Sequence, residues 1–102
     1  MKKTRVKIQL SGLYKEEVDA MERWAGEMET SINNWILDTL RENLLSDGNH
    51  ARLQEIAKGP LDLSVYVDSV ILDEFNHRHP RQQLPVWIKS VVRQKLSVLR
   101  NA

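Results

Sequence analysis

The sequence predicts a mainly α fold with a two-stranded antiparallel β-ribbon, assembled as an intramolecular pseudo-dimer from one strand-helix-helix unit used twice. Three observations predict it. Two stretches alternate polar and apolar residues in the period of a half-buried strand, each is followed by two stretches of helical periodicity, and letters of the last helix repeat those 52 positions earlier. The units are residues 1–45 and 61–102, joined by a linker over 46–60. Each has only ~45 residues and one strand, which makes no sheet and leaves an apolar face wet, so the two must pair, within one chain or between chains, and the fifteen linker residues, reaching up to ~50 Å, make the intramolecular pairing feasible.

RVKIQL places Val6, Ile8 and Leu10 on one face and Arg5, Lys7 and Gln9 on the other. Ser11 is the expected cap of a first helix whose apolar residues Tyr14, Val18, Met21, Ala25 and Met28 recur every three or four positions. Ser31 caps the second, with Ile32, Trp35, Ile36, Leu40 and Leu44 in one stripe. In the linker, SDGNHARLQEIAKGP, turn formers flank a short helix expected around 51–57. LDLSVYVD then alternates again, with Leu61, Leu63, Val65 and Val67 inward and Asp62, Ser64 and Tyr66 outward. Asp68 or Ser69 caps a third helix burying Val70, Ile71 and Phe75, which Pro80 ends. The fourth begins near Pro85 and buries Trp87, Ile88, Val91 or Val92, Leu96 and Leu99.

Trp35, Ile36, Arg41 and Leu44 recur as Trp87, Ile88, Arg93 and Leu96. The strands are offset by 57, so the second copy lacks five residues, most economically taken from its first helix and the following turn.

The chain has 102 residues, 41 % of them hydrophobic, enough for one modest core and too few for a multidomain enzyme. A formal charge of +1 predicts no bulk attraction to polyanions. The absence of cysteine excludes disulfides, thiolate zinc sites and a cysteine nucleophile. No apolar run reaches the ~20 residues of a membrane span, and the start lacks a secretory signal, so the expected setting is cytoplasmic, without a membrane partner. Charge is unevenly placed, however. Residues 1–7 carry Lys2, Lys3, Arg5 and Lys7 and no acid, residues 8–47 sum to minus six, and residues 75–102 hold six cations and no acid. Two basic stretches flanking an acidic one suit either a face that meets an anion or ordinary solvated helix surfaces.

RVKIQLS, a basic strand with polar residues at alternate positions, and TSINNWILDTL, a cap and second helix, resemble the Arc/MetJ ribbon-helix-helix family, here duplicated in one polypeptide. The resemblance covers nearly all the chain outside the linker. The second copy departs from the pattern in its strand, where Asp62, Ser64 and Tyr66 replace basic or amide residues, and in its cap, where Gln83 stands for Ser31. The resemblance implies two strands paired into a ribbon that enters the major groove of double-stranded DNA.

The residues accommodate that arrangement. An antiparallel register with Lys7 opposite Ser64 sets Arg5 beside Tyr66 and Gln9 beside Asp62, and puts all six on one face. Outward ribbon residues reach base edges: Arg5 suits guanine, Gln9 adenine, Asp62 cytosine, and Lys7 or Ser64 more than one base. Arg5 stacked on Tyr66, and Asp62 restraining nearby cations, are the structural readings of the same residues. For Asp62, Ser64 and Tyr66 the two readings weigh equally, whereas the basic start favours base contact by Arg5, Lys7 and Gln9. Phosphate contacts are expected at the starts of the second helices, at Ser31, Ile32 and Asn33 and at Gln83 and Leu84, where free N–H groups and the helix dipole attract anions. Lys2, Lys3, Arg78, Arg81 and Lys89 are further candidates.

His77 and His79 lie two apart beside Pro80, a spacing that suits a solvent-facing turn better than a metal site. Trp35 and Trp87 are expected in the core, and Trp24 either there or at an exposed contact. No cofactor is implied, and no catalytic motif stands out. The leading expectation is sequence-specific DNA binding by a nucleoid-associated transcriptional repressor, which leaves room for self-association along DNA. A conjugation accessory protein of the TraY type, partnered by a relaxase at a plasmid transfer origin, is one alternative. An antitoxin bound to a toxin is another, but such antitoxins carry a tail, and only Asn101 and Ala102 follow the last helix.

Overall fold

The computed structural model describes residues 5–45 and 59–100. The short helix expected at 51–57, together with Lys2 and Lys3, lies outside the described residues. The order is β1 (Arg5–Leu13), α1 (Lys15–Glu27), α2 (Ile32–Leu45), β2 (Leu61–Asp68), α3 (Ser69–Arg78) and α4 (Leu84–Arg100), with β1 and β2 forming one antiparallel two-stranded sheet. The chain thus folds as two strand-helix-helix units in a ribbon-helix-helix-like architecture.

The two units are interleaved. α2 packs on β2 and α3, and α4 packs on β1 and α1, so each second helix covers the other unit's strand, and α2 crosses α4. One hydrophobic cluster results, running from Leu10, Leu13, Val65 and Val67 of the ribbon to Trp35, Ile36, Trp87 and Ile88 of the crossing helices. Trp35 and Trp87, the repeated tryptophans, are both buried, and Trp24 packs at the rim with the Arg23 guanidinium 5.8 Å from its ring centroid. Val91 and Val92 are both buried, whereas Val70, expected inward, is exposed on α3.

The ribbon keeps the expected faces but not the expected register. Arg5 pairs with Asp68, Val6 with Val67, Lys7 with Tyr66, Ile8 with Val65 and Gln9 with Ser64, a shift of two residues. A two-residue slip preserves which side chains point inward, so alternation alone is satisfied equally by either register. The observed one adds fully buried Val67 to the inner face and sets Asp68 against Arg5. It also places Ile8 opposite Val65, its own counterpart in the repeat, so the pseudo-twofold axis passes between them.

β1 runs on through Ser11, which therefore does not cap α1. Between the pairs Leu10–Leu63 and Leu13–Leu61 the strand takes an extra residue, with Gly12 at φ 80°. Such a φ is strained for residues with a side chain and marks the bulge. The Gly59 N–H donates to the Gly12 carbonyl at 2.8 Å, and a Cβ on Gly59 would overlap the Leu13 carbonyl. Tyr14 is the N-cap residue instead, its N–H donating to Glu17 Oε1 at 2.9 Å. The five missing residues fall only in part where expected, in the first helix, and otherwise at the strand-helix junction rather than in the following turn. α3 has ten residues against thirteen in α1, and β2 enters its helix directly at Ser69 without the bulge, while the turn before α4 is longer than the one before α2.

Candidate nucleic-acid interface

The outward face of the ribbon carries all six residues expected there, in new partnerships. Lys7 is exposed opposite exposed Tyr66, so Tyr66 is not the neighbour of Arg5. Gln9 stands opposite Ser64, whose hydroxyl donates to Gln9 Oε1 at 2.9 Å and leaves the amide NH₂ to solvent. Asp62, expected beside Gln9, lies further along, exposed near the bulge and without an ion pair among the described residues.

Arg5 is held from the side. Its Nε donates to Asp68 Oδ1 at 3.0 Å, and the other oxygen of that carboxylate accepts from Arg41 Nη2 at 2.6 Å. Arg41 Nη1 donates in turn to Asp38 Oδ1 at 3.1 Å. Asp68 is buried, whereas the Arg5 side chain is 44 % exposed. A buried carboxylate needs such partners because burial removes its water. Asp68 does take the N-cap position of α3, but its side chain makes no capping bond there.

The start of α2 sits against the ribbon. Ser31 Oγ accepts from the Asn34 N–H at 3.1 Å, as a cap should. The Asn33 side chain mimics a strand: its Nδ2 donates to the Tyr66 carbonyl at 3.1 Å and its Oδ1 accepts from the Tyr66 N–H at 2.7 Å. This pins the first turn of α2 to β2 of the other unit and beside the outward face. The backbone N–H groups of Ile32 and Asn33 precede the first intrahelical donor and remain available. α4 differs at the equivalent place. It begins at Leu84, Pro85 occupies the position of Asn33 and has no N–H, and Gln83 is exposed with its carbonyl accepting from the Trp87 N–H at 3.0 Å.

Lys89, expected to reach phosphate, is turned inward. It is 7 % exposed, and its Nζ donates to the Ser11 carbonyl at 3.1 Å. The reason lies in the repeat: Lys89 occupies the place of Leu37, a core residue of α2. Arg78 bonds Glu74 at 3.1 Å through Nε, and Arg81 is exposed.

Two residues central to this geometry have no role in the sequence reading, and a third, Asp68, has only that of a helix cap. Arg41 and Arg93, repeat equivalents, each anchor the strand-helix junction of the other unit. Arg41 binds Asp68, and Arg93 donates through Nε to Glu17 Oε2 at 2.6 Å and through Nη2 to Glu17 Oε1 at 3.1 Å and the Gly12 carbonyl at 3.2 Å. Their recurrence 52 positions apart was the available signal. Asp68 had none, since an acid at a strand end reads as a cap. Burial pushes the Glu17 carboxyl up, but bonds from Arg93 and the Tyr14 N–H, with the charges of Arg93 and Lys89, outweigh it and hold its pKa below the ordinary value.

His79 packs against Phe75 and Trp87, with ring centroids 5.9 and 6.0 Å away, rather than facing solvent, while His77 is exposed. Among the described residues no three His, Asp or Glu side chains are grouped to hold a metal ion, and no helix is long and apolar enough to cross a membrane. Comparison with models of known families, with curated proteins and with solved structures finds no match.

Proposed function

We propose that the protein is a sequence-specific binder of double-stranded DNA that lays its ribbon in the major groove, and that it acts as a transcriptional repressor or regulator by occupying a promoter or its own operator. One observation carries this reading: the outward ribbon face presents Lys7, the Gln9 amide and the free end of Arg5 side by side, backed by a packed core. A two-stranded ribbon fits the major groove, and these donors match the acceptor-rich guanine edge and the acceptors of adenine and thymine. In this reading the Ile32 and Asn33 N–H groups receive a phosphate beside the groove and fix the ribbon's register on the duplex. The clamp at Gln83 and Leu84 is weaker, because Pro85 contributes no donor. The two strands differ at every outward position, so the preferred site need not be palindromic. Its role is binding, not catalysis.

A gel-shift titration against fragments of the protein's own locus tests the proposal. Binding tighter than to random duplex is expected. Lys7→Ala should relax site preference, whereas Lys2→Ala should leave preference alone and lower the salt slope by about one. Affinity equal to that for random duplex ends the reading.

A further inference from the structure

We infer that Arg5 reads a guanine at one end of the bound site and that Asp68, itself held by Arg41, is the positioning residue that aims it. This rests on the duplex-binding reading above. An arginine on a strand ordinarily samples many rotamers and contacts phosphate or base indifferently. Here the Asp68 carboxylate is divided between two arginines, Oδ1 accepting from Arg5 Nε at 3.0 Å and Oδ2 from Arg41 Nη2 at 2.6 Å. The Asp68 side chain is 9 % exposed and so is withdrawn from any groove, while Arg5 stays on the outward face.

Only the Nε edge of Arg5 is used by that contact. Its two terminal nitrogens have no partner among the described residues, and together they form the fork that fits O6 and N7 of guanine. Cytosine presents only an amino donor in the major groove, and adenine and thymine one acceptor each, N7 or O4, so guanine alone supplies the adjacent acceptor pair that a donor-only fork can fill. The device exists at one end of the ribbon alone. In the repeat, Arg5 corresponds to Asp62 and Asp68 to Ser11, neither of which can form the pair. The bound site is therefore polar, with the arginine-read guanine on one side of the pseudo-twofold axis.

The test is selection of binding sequences from a random duplex pool by the full chain, followed by competition with every single-base change. The wild type should prefer guanine at one position by roughly ten- to hundredfold, the range for a bidentate pair. Arg5→Lys keeps the charge but loses the fork, and should abolish that preference while preserving preference elsewhere in the site. Asp68→Ala should weaken the same preference several-fold and no other, with a melting curve checking the fold. Arg41→Ala, which leaves Asp68 in place, should act in the same direction by less. A purely structural role would lower binding to all sequences alike, and that result overturns the inference. So does a selected site whose base preferences are unchanged in Arg5→Lys, although duplex recognition then stands. Unchanged guanine preference in both Asp68→Ala and Arg41→Ala overturns the positioning role. Failure to select any sequence removes both the inference and the functional reading beneath it.

Discussion

The two ends of the ribbon are built from equivalent positions and have opposite character. At one end Arg5, Asp68 and Arg41 form a chain of charge-assisted bonds that delivers a cation to the outward face. At the other, Arg93 turns inward to Glu17 and the Gly12 carbonyl, Lys89 is spent on the Ser11 carbonyl, and the exposed residues are Ser11 and Asp62. The same arginine of the repeat therefore supports a recognition surface in one half and closes a bulged junction in the other. Duplication within one chain permits this divergence, because a true twofold dimer must carry the same residue at both ends.

The helices extend the comparison. Trp35 and Trp87 are repeat equivalents, but Trp87 also packs with tilted rings against Phe75, centroids 4.8 Å apart, and against His79. Truncating either to alanine should cost about 3–5 kcal/mol, with Trp87→Ala the more severe, as urea unfolding would measure. Equal losses would mean the aromatic cluster adds nothing to burial.

Next in size are the two arginines. Arg93→Ala removes the bonds to Glu17 and to the Gly12 carbonyl and leaves Glu17 partly buried without its main partner, so a loss of about 2 kcal/mol is expected. Arg41→Ala leaves Asp68 its bond from Arg5 and should cost about 1 kcal/mol, since Arg41 is well exposed. The Arg93 site should also depend on pH. The folded-state pKa of Glu17 lies below the ordinary 4.5, so its stabilisation is present above that value and disappears as pH falls through the folded pKa. In denaturant titrations at successive pH values, the gap between wild type and Glu17→Gln should close over that acid window. A gap that persists at the acid limit would contradict the assignment.

An effect as small as that of Arg41→Ala, but of opposite sign, is expected in the turns. α1 ends with the Glu29 N–H on the Gly26 carbonyl at 3.1 Å and the Thr30 N–H on the Ala25 carbonyl at 2.9 Å, with Glu29 at φ 55°. That left-handed conformation disfavours a side chain, so Glu29→Gly should stabilise the first unit by about 1 kcal/mol. The C-cap of α3, His79 at φ −134°, has no such strain, and His79→Gly should instead destabilise by removing a ring from the Trp87 cluster.

Element identity was largely legible because period-two and helical patterns are local, and the recurrence of Trp35–Ile36 as Trp87–Ile88 exposed the duplication. The site was only partly legible. The outward placement of Arg5, Lys7, Gln9, Asp62, Ser64 and Tyr66 follows from alternation, whereas their partners depend on a register that any even slip satisfies. The charge of Lys89 points to phosphate, whereas its repeat position, the core site of Leu37, turns it inward. The bulge is hidden in the sequence because Ser11 looks like a cap wherever a helix is about to begin.

What the amino-acid order determined by itself was the set of elements, which faces are apolar, and that two incomplete units must combine, since these follow from local periodicity and from the cost of leaving apolar surface wet. Only the tertiary structure decided the pairing of Arg5 with Asp68, the crossing of α2 and α4 onto each other's strands, and the inward turn of Lys89 and Arg93. Those outcomes depend on groups 27 to 81 positions apart in the chain, whose meeting is set by packing of the whole core and not by any neighbour in sequence.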